Sequence, residues 1–334
     1  MPTLTRIPSL LAIIATMLAL ATPEVSAQDL RRLRGTIRID GSSTVYPITE
    51  AIAESFKDAA PNVKVTVGVS GTGGGFKRFA ANEIDISDAS RPIKGQEAEM
   101  CREAGVEFVE VPVSYDGLTI VVSKENDWAK AITVDDLKRI FLTDDPATTW
   151  QDVRSEWPPV PLAIYSPGTD SGTFDYFKEV VAGRKGKIRS DMSVSEDDNI
   201  LVRGVAGDRG SIGFFGIAYY LANKDKVRAV PVINKDGQAV TPDSKTIENG
   251  SYNPFSRPLF IYVNAKSARK PHVRAFIDFF LTNGADAAAE VGYVGLPPEM
   301  YDRARKNARS RKTGSQFLTK DGEPRHGALT DLYR

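Results

Sequence analysis

The sequence predicts an α/β protein with two domains. A short apolar run followed by residues at helical spacing occurs three times, and each time small polar residues form the turn between them. Residues 106–113 and 118–122 are long apolar runs, typical of strands buried on both faces. We place a crossing between the domains there, because a more helical region follows, and 334 residues suffice for two domains.

Composition and charge narrow the class of protein. A hydrophobic content of 41% predicts a packed core and excludes global disorder. The 43 basic and 43 acidic residues give zero net charge, so no nucleic-acid partner is predicted. Cys101 is the only cysteine, and His272 and His326 are the only histidines, which argues against a disulfide, a metal site or a metal cofactor.

The N-terminus predicts a cleavable secretory signal over residues 1–27. Arg6 precedes an apolar run at residues 10–21, which is short for a membrane span. Val25-Ser26-Ala27 fits the small-residue cleavage pattern, so the mature chain is expected to begin at Gln28 in the periplasm. A retained membrane anchor is the alternative.

The first turn, residues 40–48, reads Asp-Gly-Ser-Ser-Thr-Val-Tyr-Pro-Ile and leads from a strand into a helix. A helix start offers free N–H groups and the positive end of the helix dipole, so it can hold an anion. Small hydroxyl residues such as Ser43 and Thr44 are also the side chains that cap helix starts.

The second turn, residues 70–75, follows an alternating strand and brings Gly71, Thr72 and Gly73 to the next helical pattern. Its glycines let the backbone approach a ligand closely, although a flexible loop is the alternative. A dinucleotide fingerprint would need glycine in place of Phe76, and the Gly-Lys-Ser/Thr ending of a P-loop is absent.

The third turn supplies Ser171, Gly172 and Thr173, with two hydroxyls and consecutive N–H groups. It is no nucleophile elbow, because Ser171 lacks the flanking glycines. Ser90 and Arg91 end a further short strand, and Arg91 is a plausible fork for an oxyanion or, alternatively, a surface salt-bridge residue.

These motifs, in this order, resemble the PstS family, the periplasmic phosphate-binding proteins of phosphate ABC transporters. The resemblance implies a two-lobed periplasmic-binding-protein fold of type II, with two α/β lobes, a two-crossing hinge and the ligand cleft between them. It implies lobe I at residues 28–117 plus 256–334 and lobe II at residues 118–255. The phosphate contacts that we predict are Ser43, Thr44, Val45, Gly71, Thr72, Gly73, Ser90, Arg91, Ser171, Gly172 and Thr173.

The chain departs from the family pattern at two positions that, in the family, contact the charged groups and the proton of the ligand. Ser90 stands where many members have an aspartate that accepts the phosphate proton, and residues 166–168 lack the usual arginine. We expect Arg91 to replace that guanidinium from the opposite lobe, and Asp88 or Asp170 to supply the acceptor. Without an acceptor, sulfate and molybdate remain alternative ligands.

The resemblance implies a monomeric solute-binding protein that delivers phosphate to an inner-membrane ABC permease and catalyses no reaction. An exported phosphate-ester hydrolase, with Ser171 or Thr44 as nucleophile, is the competing class. Such an enzyme needs a base or metal ligands beside the nucleophile, and the sequence offers few candidates.

Overall fold

The computed structural model describes residues 27–169, 171–183, 186–195 and 197–334. Residues 1–26 of the predicted signal and the candidate acceptor Asp170 lie outside the described residues. Within the described part of the chain, no helix is long and apolar enough to span a membrane.

The strands form one large mixed sheet and a small hairpin. They are β1 (Gly35–Gly41), β2 (Val63–Val69), β3 (Ile86–Ala89), β4 (Phe108–Ser123), β5 (Ala163–Pro167), β6 (Ser193–Ser195), β7 (Ser211–Gly216), β8 (Val227–Ala229), β9 (Val232–Ile233), β10 (Ala239–Val240), β11 (Ser256–Asn264) and β12 (Val294–Gly295). The order in the large sheet is β2-β1-β3-β11-β4-β7-β5-β6, with β8 and β12 also pairing with β4, and β9 and β10 form the separate hairpin.

Helices cover the sheet and follow the predicted units. They are α1 (Ala27–Leu30), α2 (Tyr46–Ala59), α3 (Gly71–Ala80), α4 (Gly95–Glu103), α5 (Val134–Phe141), α6 (Trp150–Val153), α7 (Gly172–Val181), α8 (Asp198–Gly207), α9 (Ile217–Ala222), α10 (Ser244–Glu248), α11 (Pro271–Glu290), α12 (Pro298–Ser310) and α13 (Leu329–Leu332). The three turns join β1 to α2, β2 to α3 and β5 to α7, so the α/β class is confirmed.

Strand β4 links the two halves of the sheet and differs from the sequence prediction. The sequence predicts two strands, over residues 106–113 and 118–122, but the structure has one strand whose 16 residues are all buried. Its first part pairs with β11 as far as Gly117, and its second part pairs with β7 from Leu118 onward. The two lobes of the predicted fold therefore share a continuous strand.

The Asp-Gly pair in β4 resembles a turn in sequence, but tertiary contacts give it another role. Asp116 is 2% exposed and forms an ion pair with Arg257, so its charge is compensated inside the protein. Gly117 is closely packed, because a Cβ atom there would lie 2.4 Å from Ile247. These long-range contacts, which a local pattern does not contain, keep the strand continuous.

Helices α2 and α3 begin at the carboxyl ends of the parallel strands β1 and β2. Apolar packing fixes α2, since Phe56 meets Phe276 and Phe279 of α11 with ring centroids 5.3 Å apart in each pair. Helix α3 approaches β1 closely because residue 75 is glycine: a Cβ atom there would lie 2.7 Å from Gly41 Cα. This packing brings two helix starts together at one edge of the sheet.

Candidate functional site

A cleft of about 320 Å³ lies where these two helix starts face residues of α7 and β11. Hydroxyl, glycine and charged residues line it. They are Ser42, Ser43, Thr44, Gly71, Thr72, Gly73, Ser90, Arg91, Lys94, Asp175, Tyr176, Glu179 and Arg257. The structure thus brings seven of the predicted contacts together: Ser43, Thr44, Gly71, Thr72, Gly73, Ser90 and Arg91.

In the first turn, Ser42 stabilises the turn that leads into α2. Its hydroxyl oxygen accepts from the N–H groups of Thr44 at 3.2 Å and Val45 at 3.4 Å. Ser43 and Thr44 also line the cleft, where the Ser43 hydroxyl donates to Asp175 and Thr44 Oγ1 accepts from Arg257. Val45 is fully buried and does not line the cleft.

In the second turn, the glycines belong to α3 and do not form a loop. The helix begins at Gly71 and has no side-chain hydrogen bond at its N-cap, so its first N–H groups are open to the cleft. A Cβ atom at Gly71 or Gly73 would meet no heavy atom within 4 Å, which shows that both face open space. Thr72 Oγ1 accepts from the N–H of Ser90 at 3.2 Å and fixes that residue beside the helix start.

Arg91 lines the cleft, but its guanidinium already has a partner. It donates to both carboxylate oxygens of Glu97, each at 2.8 Å. This bidentate pair largely neutralises Arg91 and holds it at the rim.

Arg257 is one of the six cleft-lining residues that were not among the predicted contacts. Its guanidinium donates to Thr44 Oγ1 at 3.0 Å, to Asp116 at 3.4 Å and to Glu179 at 3.2 Å. It also stacks on Tyr176, with 3.6 Å between Cζ and the ring centroid. The side chain is only 13% exposed, so a planar cation is held firmly at the base of the cleft.

The buried carboxylate of Asp116 forms an ion pair with Arg257. Burial raises the pKa of Asp116, and the adjacent guanidinium opposes that effect. Because Asp116 and Glu179 contact the same guanidinium from different parts of the chain, Arg257 joins the first turn, β4 and α7.

The third turn lies against the first turn. Ser171 caps α7 by accepting from the N–H of Thr173 at 3.2 Å. Gly172 contacts Thr44 so closely that a Cβ atom would lie 2.8 Å from Thr44 Cα. Yet Ser171, Gly172 and Thr173 line a neighbouring cleft of about 430 Å³, which shares Ser43 with the first cleft.

Of the two candidate proton acceptors, Asp88 lies within the described residues, and it does not line the cleft. It is completely buried beneath the first turn, where its backbone meets Gly41. The carboxylates that do line the cleft come from α7: Asp175, which accepts from the Ser43 hydroxyl at 3.0 Å, and Glu179.

The buried carboxyl of Asp88 is expected to make the free energy of unfolding depend on pH. Burial, assisted by the charge of Asp40 and opposed by the Thr49 hydroxyl, raises the pKa of Asp88 to about 8. Between about pH 4 and pH 8 the folded form keeps a proton that the unfolded form has released, so stability falls as pH rises through this window. Relative to Asp88→Asn, the wild type should lose up to about 1.4 kcal/mol of unfolding free energy per pH unit. Urea unfolding of both proteins at pH 5, 6 and 7 measures this difference, and a difference that stays constant with pH would contradict it.

The cleft chemistry suits an anion better than a metal ion. Three cationic side chains line it, and the residues described contain no group of three His, Cys, Asp or Glu side chains arranged for a metal. Cys101 is buried, and burial raises the pKa of its thiol to about 11, so it is unsuited to metal binding.

The fold and the cleft define a two-lobed binding protein, and a family model for the PBP superfamily matches residues 26–283. Protein SphX of Synechococcus elongatus is 49% identical over 92% of this chain and 92% of its own length. The phosphate-binding protein PstS of Staphylococcus haemolyticus is 38% identical over 80% of this chain and 84% of its own length. The chain belongs to the PstS family of the PBP superfamily, which confirms the resemblance.

A solved structure supports the same assignment. The crystal structure of "a possible phosphate binding protein" from Planctomyces limnophilus is 43% identical, with a TM-score of 0.81. The similarity covers 83% of this chain and 99% of that one. The two-lobed fold predicted from the sequence is therefore confirmed.

Proposed function

We propose that this chain is an extracytoplasmic solute-binding protein that captures inorganic phosphate in the cleft beside Arg257 and releases it to an ABC permease. The observation that carries the proposal is the convergence of three kinds of oxyanion donor: the guanidinium of Arg257, the open start of α3 at Gly71–Gly73, and the hydroxyls of Ser43 and Thr44. Each kind of group binds phosphate oxygens in proteins.

We assign lobe I to residues 28–117 and 256–334, and lobe II to residues 118–255. The change of pairing partner in β4 at residues 117 and 118 supports this division. Arg257 then lies next to the second crossing, with Thr44 in lobe I and Glu179 in lobe II. A ligand that contacts Arg257 would reinforce the contact between the lobes, which is how such proteins close.

Phosphate is the proposed ligand among the tetrahedral oxyanions, because carboxylates of α7 reach the cleft. Asp175 and Glu179 would repel a fully deprotonated sulfate, whereas hydrogen phosphate can donate its proton to an acceptor. We place Ser171, Gly172 and Thr173 at the lobe contact and propose that they reach the ligand when the lobes close further.

Calorimetry on the chain from Gln28, stripped of bound ligand by unfolding and refolding, tests the proposal. Phosphate should bind one to one at micromolar concentration or below, and sulfate and molybdate should bind at least a hundredfold more weakly. Absence of phosphate binding would overturn the function, and tighter binding of sulfate or molybdate would move the chain to another oxyanion.

We propose that binding involves no bond cleavage. Thr44 Oγ1 accepts from the Arg257 guanidinium, which offers hydrogen-bond donors and no acceptor, and Ser171 Oγ accepts from a backbone N–H. The pure protein should therefore release no product from a chromogenic phosphate ester. Turnover that disappears in Ser171→Ala would revive the hydrolase alternative.

Arg91 provides a further prediction about the rim of the cleft. Arg91→Ala should weaken phosphate binding about tenfold, because it leaves the Glu97 carboxylate unpaired beside the cleft. If this effect is purely electrostatic, the double variant Arg91→Ala/Glu97→Ala should regain most of the affinity in calorimetry. A double variant as weak as the single one would show that Arg91 contacts phosphate directly.

The same proposal places the mature chain in the periplasm as a monomer that meets an inner-membrane permease. Membership of the PstS family supports this setting.

A further inference from the structure

Tyr293 is a buried tyrosine whose hydroxyl reaches the first turn of the proposed site. The residue is 8% exposed, and its hydroxyl donates to the carbonyl oxygen of Thr44 at 2.6 Å. Burial, assisted by the charge of Asp116 and opposed by that of Arg257, raises the pKa of Tyr293, so the hydroxyl keeps the proton that it donates. Because the two residues are 249 positions apart, this hydrogen bond ties the first turn to a distant part of the chain.

Tyr293 is held between two regular elements. Its backbone N–H donates to the carbonyl oxygen of Ala288 in α11 at 2.7 Å. The two residues that follow it form β12, and Val294 pairs there with Tyr115 of β4. A side chain whose backbone is fixed on both sides can hold its partner in one place. The Tyr293 hydroxyl is therefore a fixed point for the first turn.

Thr44, the partner of Tyr293, is 3% exposed and is held from several directions. Its N–H donates to Ser42 Oγ at 3.2 Å, and its Oγ1 accepts from Arg257 at 3.0 Å. Its Cα faces Gly172, where a Cβ atom would lie only 2.8 Å away. Tyr293 holds the carbonyl, so losing its hydroxyl would remove a restraint on the peptide that follows Thr44 and on the direction of the Thr44 side chain.

We propose that Tyr293 is a positioning residue for phosphate binding: by holding the Thr44 carbonyl, it aims the Thr44 hydroxyl at the Arg257 guanidinium and at the ligand. This inference rests on the function proposed for the cleft. Tyr293 lines the neighbouring cleft of about 430 Å³ and is not among the residues that line the phosphate cleft, so it acts through Thr44 and not by contact with the ion. A tyrosine with a structural role alone would add stability and leave the affinity unchanged.

Tyr293→Phe removes the hydroxyl and keeps the ring. Calorimetry should show phosphate affinity reduced about fivefold, which is the net contribution of one neutral hydrogen bond. The loss should depend on the Thr44 hydroxyl, because Tyr293 is proposed to act through it. In a Thr44→Ala background, which should itself bind phosphate more weakly, Tyr293→Phe should therefore cause less than about a twofold further loss.

Tyr333→Phe is the matched control. Tyr333 is also buried, and its hydroxyl donates to the carbonyl oxygen of Glu110 at 3.0 Å, outside the lining of the phosphate cleft. Urea unfolding should show a similar loss of stability in Tyr293→Phe and Tyr333→Phe, whereas Tyr333→Phe should keep the wild-type affinity.

Four outcomes would contradict the proposal, and they separate it from the function on which it rests. Unchanged affinity in Tyr293→Phe, an equal loss of affinity in Tyr333→Phe, or an undiminished loss in the Thr44→Ala background would overturn the positioning role and leave phosphate binding standing. Absence of phosphate binding to the wild type would overturn the proposed function and this inference together.

Discussion

Arg257→Ala is expected to weaken phosphate binding about 100-fold or more, which corresponds to about 2.8 kcal/mol. The substitution removes the guanidinium at the base of the cleft and leaves Asp116, which is 2% exposed, as an unpaired charge beside the ligand. Arg257→Lys should give an intermediate loss, because an ammonium keeps the charge and loses the planar fork. Calorimetry with phosphate measures both affinities.

Two controls separate binding from folding in this experiment. Arg257→Ala/Asp116→Asn removes the unpaired buried carboxylate, so it should recover stability in urea unfolding but not the wild-type affinity. Arg209→Ala removes a similar arginine, which pairs with Asp127 and stacks on Trp128 away from the cleft, and it should bind phosphate normally. A double variant with wild-type affinity would remove Arg257 from the proposed site.

Gly172→Ala is the second large expected effect, and it acts through the contact between the lobes. The added methyl group would lie 2.8 Å from Thr44 Cα and 3.2 Å from Thr44 N, so the two turns must separate. Backbone atoms cannot turn aside as a flexible side chain can. We expect phosphate affinity, measured by calorimetry, to fall at least tenfold, because closure around the ligand becomes unfavourable.

Gly207→Ala provides the matched control for this substitution. Gly207 ends helix α8, and a Cβ atom there would meet no heavy atom within 4 Å. The control should bind phosphate as the wild type does. Gly172→Ala should also keep a near-normal unfolding temperature, because the contact lies at the cleft and not in a core. Unchanged affinity in Gly172→Ala would show that the Gly172–Thr44 contact is not needed for binding.

Local sequence patterns were sufficient to predict the three strand–turn–helix units. Alternation, helical spacing and small polar turn residues all act over a few neighbouring residues, so they are visible in the sequence. The glycines of the second turn were identified as a possible ligand contact, although the structure makes them the first turn of α3 and not a loop. Seven of the eleven contacts predicted with the help of the family resemblance line the cleft.

Arg257 was missed because its role depends on partners far away in the chain. It stands 141 residues from Asp116 and 213 residues from Thr44. In the sequence it is simply the polar first residue of an apolar strand. The one available signal was a charged residue at the start of a buried strand that leads back to the first lobe. Asp116 was misjudged for the same reason. Its partner Arg257 is distant in the sequence, and Asp116 lies inside a continuous strand although Asp-Gly resembles a turn.

Arg91 was predicted as a ligand contact, but the structure also pairs it with a nearby carboxylate. From the sequence, Arg91 is either an oxyanion fork or a salt-bridge residue, and its carboxylate partner Glu97 lies only six residues away. The structure puts Arg91 at the cleft and also in that ion pair. The Arg91 and Glu97 variants therefore test whether a neutralised arginine still contributes to binding.

A crystal structure of the ligand-stripped chain after addition of phosphate would test the central claim most directly. We predict one tetrahedral ion in the cleft, with oxygens within hydrogen-bonding distance of the Arg257 guanidinium and of N–H groups at the start of α3. An ion bound elsewhere, with Arg257 still donating only to Thr44, Asp116 and Glu179, would contradict the account.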